Sequence, residues 1–590
     1  MVIKRNGEAV SFDKDKIVQA INKAFLDVDG VLYETDTSND IANEIELRVL
    51  KSPDVDITVE QIQDMVEDYL MQSERRDVAR AYVRYRYKRE VARGYNADFC
   101  RALDEKIKGK NIQNQNANVD EGSFGGRKGE ADSLLMKKYA LDNCMSKMAR
   151  ENHIGNMVYI HDLDAYAVGM HNCLSIPFDE IFAKGFNTRQ TDIRPPKSIN
   201  TAFQLLAVVF QLQSLQQFGG VSATHLDWTM VPYVRMSFAK HYEDGLIWIA
   251  HEDIDDEMRS QWKNGKASID DTFIYDNKDA YNYAMAMTKR ELDQAVEGMY
   301  HNLNTLQSRS GNQLPFTSIN YGTCTKAEGR MVIESLLQGS IKGVGKHHRT
   351  PVFPCGIFQL GNGINKRPGD PNYDLFKLAL KSTSKRLYPN YANIDWSGNA
   401  GYDVNDPTTY FSTMGCRTAN GMDINGLGQR KDGRGNICPV TIIMPTLAMM
   451  VDRDVEEFMR LLDIKIHEAK DMLIERFNWI CSQDSSSAKF MYENGTMAGY
   501  VPEEGIRSAL KHGTIVIGQL GLAETLELLI GCNHTTEKGM ELAKRIESLF
   551  KQRCAEFKQE YKLNFGVYYT PAENLCYTSM KKFQAKYGVI

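Results

Sequence analysis

No two of the eleven cysteines stand as a Cys-x-x-Cys pair, and no repeated spacing links them. An odd count without a framework argues against a disulfide scaffold and for reduced thiols in the cytoplasm. Long apolar runs are missing too. The most apolar helical stretch, Ala202 to Leu215, is interrupted by Gln204, Gln211 and Gln213, which speaks against a membrane span. The opening Met1-Val2-Ile3-Lys4-Arg5-Asn6-Gly7 lacks the apolar centre of a signal peptide. Neither sign of charge dominates. Seventy-one Lys and Arg face 77 Asp and Glu, and a net charge of −6 gives no global attraction to nucleic acid or an acidic membrane. Phosphate binding must then be local, through helix N-termini or a few basic side chains. No Walker A loop is present. Gly339 to Lys346 comes near one, but Ser340 falls where the first glycine is required and His347 replaces Ser or Thr. His347 and His348 are adjacent and so rarely point at one ion; no metal site is expected.

What is there is ordinary globular composition, 42% hydrophobic and 25% charged over 590 residues, enough for one large domain and a smaller one. Residues 1–93 read as a mainly helical module with a short β start. Asn6-Gly7 favours a hairpin turn, and Ile17, Val18, Ile21, Ala24, Phe25 and Val28 recur at helical spacing. Thr58 and Gln61 form a capping box ahead of Ile62, Met65, Val66 and Tyr69. Residues 94–130 are polar, rich in Asn and Gly, and read as a connector. Across 131–590 helical patterns alternate with short apolar runs such as Val158-Tyr159-Ile160, Val352-Phe353 and Val440-Thr441-Ile442-Ile443, the pattern of an α/β domain with strands buried on both faces.

At the N-terminus a glycine turn brings backbone N–H groups within reach of phosphate, and Lys4, Arg5 and Lys16 could supply compensating charge. A solvated basic hairpin would look the same. The segment Val2-x-Lys4-Arg5-Asn6-Gly7, with Phe12 and Lys16-Ile17, is similar to the ATP-cone module. That resemblance implies an ATP or dATP effector site at Lys4, Arg5, Asn6, Gly7 and Lys16.

Further on, Ser412-Thr413-Met414-Gly415-Cys416-Arg417 is followed by Asp432-Gly433-Arg434-Gly435-Asn436. Before them come His161-Asp162-Leu163-Asp164, His171-Asn172-Cys173, Gly345-Lys346 with Thr350-Pro351-Val352-Phe353-Pro354, Gly369-Asp370-Pro371-Asn372-Tyr373-Asp374 and Ser384-Lys385-Arg386-Leu387-Tyr388-Pro389; Thr570-Pro571-Ala572-Glu573-Asn574 comes after. In this order the segments resemble the oxygen-sensitive (class III, anaerobic) ribonucleotide reductases, over essentially the whole chain. The resemblance implies an N-terminal ATP cone followed by a ten-stranded β/α barrel of the ribonucleotide reductase and pyruvate formate-lyase type. It implies Cys416 as the thiyl that takes the ribose 3′-hydrogen and Cys173 as the thiol on the opposite face. Asn436 would hold the ribose hydroxyls and Met414 would stand beside the reductant site. Cys173, Met414 and Asn436 together fit the branch that oxidises formate. As residues alone, Cys173 and Asn436 could equally pack and hydrogen-bond in a core. Cys324, Cys355, Cys438, Cys481 and Cys532 read as inert thiols.

The family also implies ribonucleoside triphosphates as substrates, a homodimer, and a radical-SAM activase using S-adenosylmethionine and a 4Fe-4S cluster. Its glycyl radical and supporting zinc belong to a C-terminal region that has no counterpart up to Tyr587-Gly588-Val589-Ile590. Three expectations stay open: a separate polypeptide carrying the glycyl segment, a truncated chain, or a nucleotide-binding relative without catalysis. A formate-lyase-type enzyme is the other alternative, though those carry adjacent cysteines on the active loop.

Overall fold

The computed structural model describes residues 2–3, 9–31, 36–51, 56–108, 122–262, 265–308, 313–414, 418–570 and 573–589, with backbone alone at 89–98 and 573–574. The chain divides into two compact units, Met1–Lys110 and Asn111–Ile590.

The first unit has a three-stranded sheet with Val2–Ile3 in the centre, antiparallel to Ala9–Val10 and parallel to Ile57–Thr58. Helices Lys14–Asp29, Asp36–Leu50, Val59–Gln72 and Arg76–Lys108 accompany it. The predicted capping box is formed: Gln61 N–H donates to Thr58 Oγ1 at 3.2 Å and Thr58 N–H to Gln61 Oε1 at 2.8 Å. Ile17, Val18, Ile21, Ala24 and Phe25 are buried against Ile41, Ile45, Val66 and Leu70. Val28 departs from that expectation, because the last turn of its helix runs past the core and leaves it exposed. The segment read as a connector also differs. Helix Arg76–Lys108 continues through its first part, where Ala97, Leu103 and Glu105 are strong helix formers, and a new helix begins at Phe124.

The second unit is built on one curled sheet. Strands run in the order Asn390–Asn393, Cys355–Leu360, Thr317–Tyr321, Val221–Ala223, Cys173–Ser175, Arg434–Ile443, Thr514–Leu520 and Asn564–Tyr569. The first five are mutually parallel, as are the last three. The two groups meet antiparallel where Cys173–Ser175 pairs with Arg434–Asn436. Val158–Ile160 pairs farther along the same long strand, at Val440–Ile442. Ten strands are expected, and among the described residues nine belong to the sheet, eight side by side and Val158–Ile160 end to end with Cys173–Ser175 on one partner. The run Val352-Phe353 lies just ahead of its strand rather than in it.

Helices join successive parallel strands, as parallel pairing demands. Ile199–Ser214, Lys278–Leu303, Ala327–Lys342 and Tyr373–Arg386 serve the first group; Val455–Cys481 and Glu537–Tyr561 serve the second. Two apolar cores result. One packs Phe203, Phe210, Val296, Leu336 and Phe358, the other Ile437, Val440, Phe458, Leu473 and Phe550. Thr317–Tyr321 and Arg434–Ile443 are buried at every residue, so both faces of the sheet are covered.

One irregularity shapes everything that follows. Along Arg434–Ile443, Asn436 pairs with Thr514 and Cys438 with Ile515, so Ile437 is an extra residue, a β-bulge. Pro439 follows at once. It has no N–H to donate, and it falls in the gap between the segments paired with Cys173–Ser175 and Val158–Ile160.

Candidate active site

Antiparallel partners project their side chains on the same face. Cys173 lies directly opposite Asn436, and Ser175 opposite Arg434. Asn172 N–H donates to the Ile437 carbonyl at 3.0 Å. Leu174 N–H turns the other way, to the Gly220 carbonyl at 3.0 Å, so the backbone groups of Cys173 and Ser175 face Arg434–Asn436. Glycine makes the approach possible: a Cβ on Gly435 would lie 1.9 Å from the Cys173 carbonyl oxygen.

The Cys173 thiol is held from two sides. It donates to Asn172 Oδ1 at 3.3 Å and accepts from the Gly220 N–H at 3.2 Å. That N–H comes close because Gly219, where a Cβ would meet Asn172 Oδ1 at 2.1 Å, lets the strands' leading loops touch. Asn436 is the opposite case. It is 1% exposed, and neither its Oδ1 nor its Nδ2 has a partner among the described residues. A buried amide left in this state costs about 1–3 kcal/mol.

Thr413–Met414 pairs antiparallel with Thr418–Ala419 and packs against the Cys173–Ser175, Val221–Ala223 and Thr317–Tyr321 strands. Gly415, Cys416 and Arg417 lie outside the described residues, as do Lys4, Arg5, Asn6 and Gly7 of the cone. Three side chains anchor the segment leading to Cys416. Asn320 exchanges two hydrogen bonds with Thr413, donating to its carbonyl at 3.0 Å and accepting from its N–H at 3.1 Å. Ser222 Oγ donates to the same carbonyl at 2.9 Å, and Gln359 Nε2 to the Phe411 carbonyl at 3.0 Å. Strand register puts Cys173, Ser175, Ser222, Asn320 and Gln359 on one face, so this inner face both lines the site and holds the loop. Met414 is buried, its sulfur 3.7 Å from Asn420 Nδ2. The structure thus brings Cys173, Asn436 and Met414 to one face of one sheet. Lys16, in the other unit, is exposed and paired with Asp13 at 3.1 Å.

The anchors Ser222, Asn320 and Gln359 are absent from the sequence reading. Their signal was available: a polar residue inside a strand otherwise buried on both faces must find a specific partner.

Charged groups crowd the same neighbourhood. Burial opposes the His225 imidazolium, yet Asp179 at 3.1 Å outweighs it and carries the pKa up to about 9. His171, two residues ahead of Cys173, is wholly buried and pushed down to about 4 by burial; its Nε2 meets the Met491 sulfur at 2.9 Å. Arg430 bridges Asp432 at 2.7 Å and Glu180 at 2.6 Å. Among the described residues no group of three or more His, Cys, Asp or Glu could hold a metal ion, and no helix is long and apolar enough to cross a membrane.

Comparison with known proteins gives this geometry a setting. A family model described as anaerobic ribonucleoside-triphosphate reductase matches residues 115–590, and an ATP cone domain model matches residues 1–91. The anaerobic ribonucleoside-triphosphate reductase of Haemophilus influenzae is 29% identical over 603 aligned residues, covering 100% of this chain and 79% of the relative. The enzyme of the same name from Enterobacteria phage T4 is 28% identical across 82% of this chain and 74% of its own. Among solved structures, the anaerobic ribonucleotide reductase of Thermotoga maritima with glycerol in the active site shares the fold. Its TM-score is 0.59 at 16% identity, covering 83% of this chain and 74% of that one. The reductase model takes in every strand of the large sheet together with Cys173, Met414 and Asn436, and the chain accordingly belongs to the anaerobic ribonucleoside-triphosphate reductase family.

Proposed function

We propose that this chain reduces ribonucleoside triphosphates by thiyl-radical chemistry on the inner face of the sheet, with formate as the reductant. Cys416 would abstract the ribose 3′-hydrogen. Cys173, across the ribose, would protonate the departing 2′-hydroxyl, and Asn436 would bind the ribose hydroxyls. Oxidation of formate to carbon dioxide beside Met414 would return the two electrons that the reduction consumes.

The observation that carries this reading is the unpartnered amide of Asn436 directly opposite the Cys173 thiol. Its one acceptor and two donors match a sugar's vicinal hydroxyls. Pairing them would recover the free energy that burial without partners costs. The family supplies the rest. A glycyl radical, installed by a radical-SAM activase with its 4Fe-4S cluster and S-adenosylmethionine, would provide the unpaired electron; no residue of this chain is assigned that radical. A homodimer, ATP or dATP at the cone, and a cytoplasmic setting complete the proposal. One solved Thermotoga maritima reductase is in complex with dATP and CTP, which supports nucleotide effectors here.

The test is an anaerobic assay with activase, formate and a glycyl-radical segment, reading deoxynucleotide formed. Wild type should turn over. Cys416→Ala should lose at least about 10⁴-fold in rate with substrate binding unchanged. Nucleotide binding without any product from wild type would leave a binding protein and end the catalytic reading.

A further inference from the structure

The helix Val455–Cys481 packs on the outer side of the sheet, yet one of its residues reaches the loops on either side of Cys173. Arg476 is 1% exposed. Its Nη1 donates to the His161 carbonyl at 2.7 Å and its Nη2 to the Asp162 carbonyl at 3.2 Å. Asp162, at φ +45°, bends the chain where these carbonyls meet the guanidinium. Two rings lie against the cation as well, its central carbon 5.0 Å from the centre of Tyr166 and 5.0 Å from that of Phe218, contacts that a planar guanidinium makes well. Burial holds its pKa below arginine's ordinary value, against the pull of Cys438, Asp162 and Asp164. A buried cation costs free energy, and what this one joins is two separate loops.

Phe218 opens a turn that runs beside His171–Cys173 and is tied to it at each residue. Phe218 N–H donates to the His171 carbonyl at 3.1 Å, Gly219 N–H to the Asn172 carbonyl at 3.0 Å, and Gly220 N–H to the Cys173 sulfur at 3.2 Å. The other loop carries His161, whose Nε2 meets Thr441 Oγ1 on the inner face at 2.6 Å. Trp479, one turn further along the helix, gives that second loop a hold of its own. Its Nε1 donates to the Tyr166 and Ala167 carbonyls at 3.0 and 3.3 Å.

We propose that Arg476 is a positioning residue for the Cys173 thiol: by joining the His161–Tyr166 loop to Phe218, it holds the Phe218–Gly220 turn so that the Gly220 N–H stays on the sulfur. This rests on the reading of Cys173 as proton donor to the ribose 2′-hydroxyl. With its lone pair engaged by Gly220 and its S–H directed at Asn172, the thiol has one setting. Loosening the turn frees that rotor, and a misplacement of about 1 Å at a reacting group costs about 10²-fold in rate.

The experiment is amide hydrogen–deuterium exchange on the full chain without activase, read over 216–221 and over 437–443. Arg476→Met should speed exchange at 218–220 by at least about tenfold and leave 437–443 as in wild type. Arg476→Lys, which keeps the charge and loses the planar fork, should behave as Arg476→Met does. Trp479→Phe, which frees only the Tyr166 and Ala167 carbonyls, should leave 218–220 unchanged. Faster exchange over both segments would make Arg476 a general support of the core and overturn the proposal. Unchanged exchange at 218–220, recovery in the lysine variant, or an equal effect of Trp479→Phe also overturns it. If Arg476→Met does not fold, Phe218→Leu, which keeps the cation and removes the ring, is judged by the same criterion at 219 and 220. With activase, formate and a glycyl-radical segment, Arg476→Met should lose about 10²-fold in kcat and keep KM within about twofold of wild type. Unchanged kcat despite faster exchange overturns the positioning role. Wild type without turnover would end the reading of Cys173 as proton donor, and the exchange result would still decide the clamp. Turnover by wild type with exchange unmoved in every variant would end the clamp and leave that reading.

Discussion

The two faces of the strand Arg434–Ile443 are made of the same backbone and could hardly be more different. The inner face carries Arg434, Asn436 and Thr441, each polar and each buried. The outer face carries Ile437, Cys438, Val440 and Ile442, sealed in one apolar core with Phe458, Leu473 and Phe477. Strict alternation from Asn436 would put Cys438 inside with it. The bulge at Ile437 prevents this by shifting the phase of everything downstream. Thr441 therefore points inward, where its hydroxyl meets His161 Nε2 at 2.6 Å and Thr570 Oγ1 at 2.7 Å, while Cys438 joins the core. Cys173 sits among hydrogen-bond donors and acceptors, whereas burial pushes the Cys438 thiol up to about 12. Two thiols close together in the fold are thus assigned opposite fates by one inserted residue.

The contrast can be broken most completely at Gly435. Gly435→Ala should force the two seam strands apart and cost at least about 3 kcal/mol in denaturant unfolding, the upper range for overpacking, with loss of turnover. A variant with wild-type stability would mean that the seam can relax and that the close approach is incidental.

Asn436→Ala separates function from stability. Turnover should fall by about 10²–10³-fold, while the unfolding free energy stays level or rises, because a buried amide without partners is removed. A large loss of stability would place Asn436 among the structural residues of the core.

Acid should distinguish the histidines around the inner face. His171 stays neutral in the fold, held down to about 4, but takes a proton in the unfolded chain below its ordinary 6.5. Its contribution is complete above pH 6.5 and is lost as pH falls toward 4, at about 1.4 kcal/mol per pH unit. His225 works in the other direction. Raised to about 9 from 6.5, its contribution is present below 6.5 and is lost as pH climbs through 9. His171→Gln should flatten the acid limb of a stability–pH curve and leave the alkaline limb alone.

The smallest effect belongs to the outer face. Cys438→Ala should cost about 1–2 kcal/mol for the small cavity and leave kcat unchanged. A fall in kcat without a change in melting temperature would bring Cys438 into the chemistry after all.

Much of this was legible in the sequence. Cys173, Met414 and Asn436 stand out through the motifs around them, and the alternation of helical and apolar runs announces a sheet with both faces covered. Thr58 and Gln61 state their own capping box. What the sequence hides is register. Nothing in Asn436-Ile437-Cys438-Pro439 names the bulge, although a proline in a central strand could have suggested one. Gly94 and Asn96 look like linker residues, yet they lie inside helix Arg76–Lys108. A helix already under way carries them through, since tertiary context and neighbouring Ala, Leu and Glu outweigh single-residue preference. The anchors Ser222, Asn320 and Gln359 come from three separate strands and converge only once the sheet is assembled.

The seam between the two parallel groups has a directional consequence. When every strand of a barrel runs the same way, one rim gathers all the C-terminal strand ends and the other serves stability. Here the direction reverses once, where Cys173–Ser175 meets Arg434–Asn436. Loops that follow the first five strands open on one rim, and loops that follow the last three open on the other. The loops that follow the strands at each rim therefore come from a different length of the chain, 175–400 for one and 443–573 for the other.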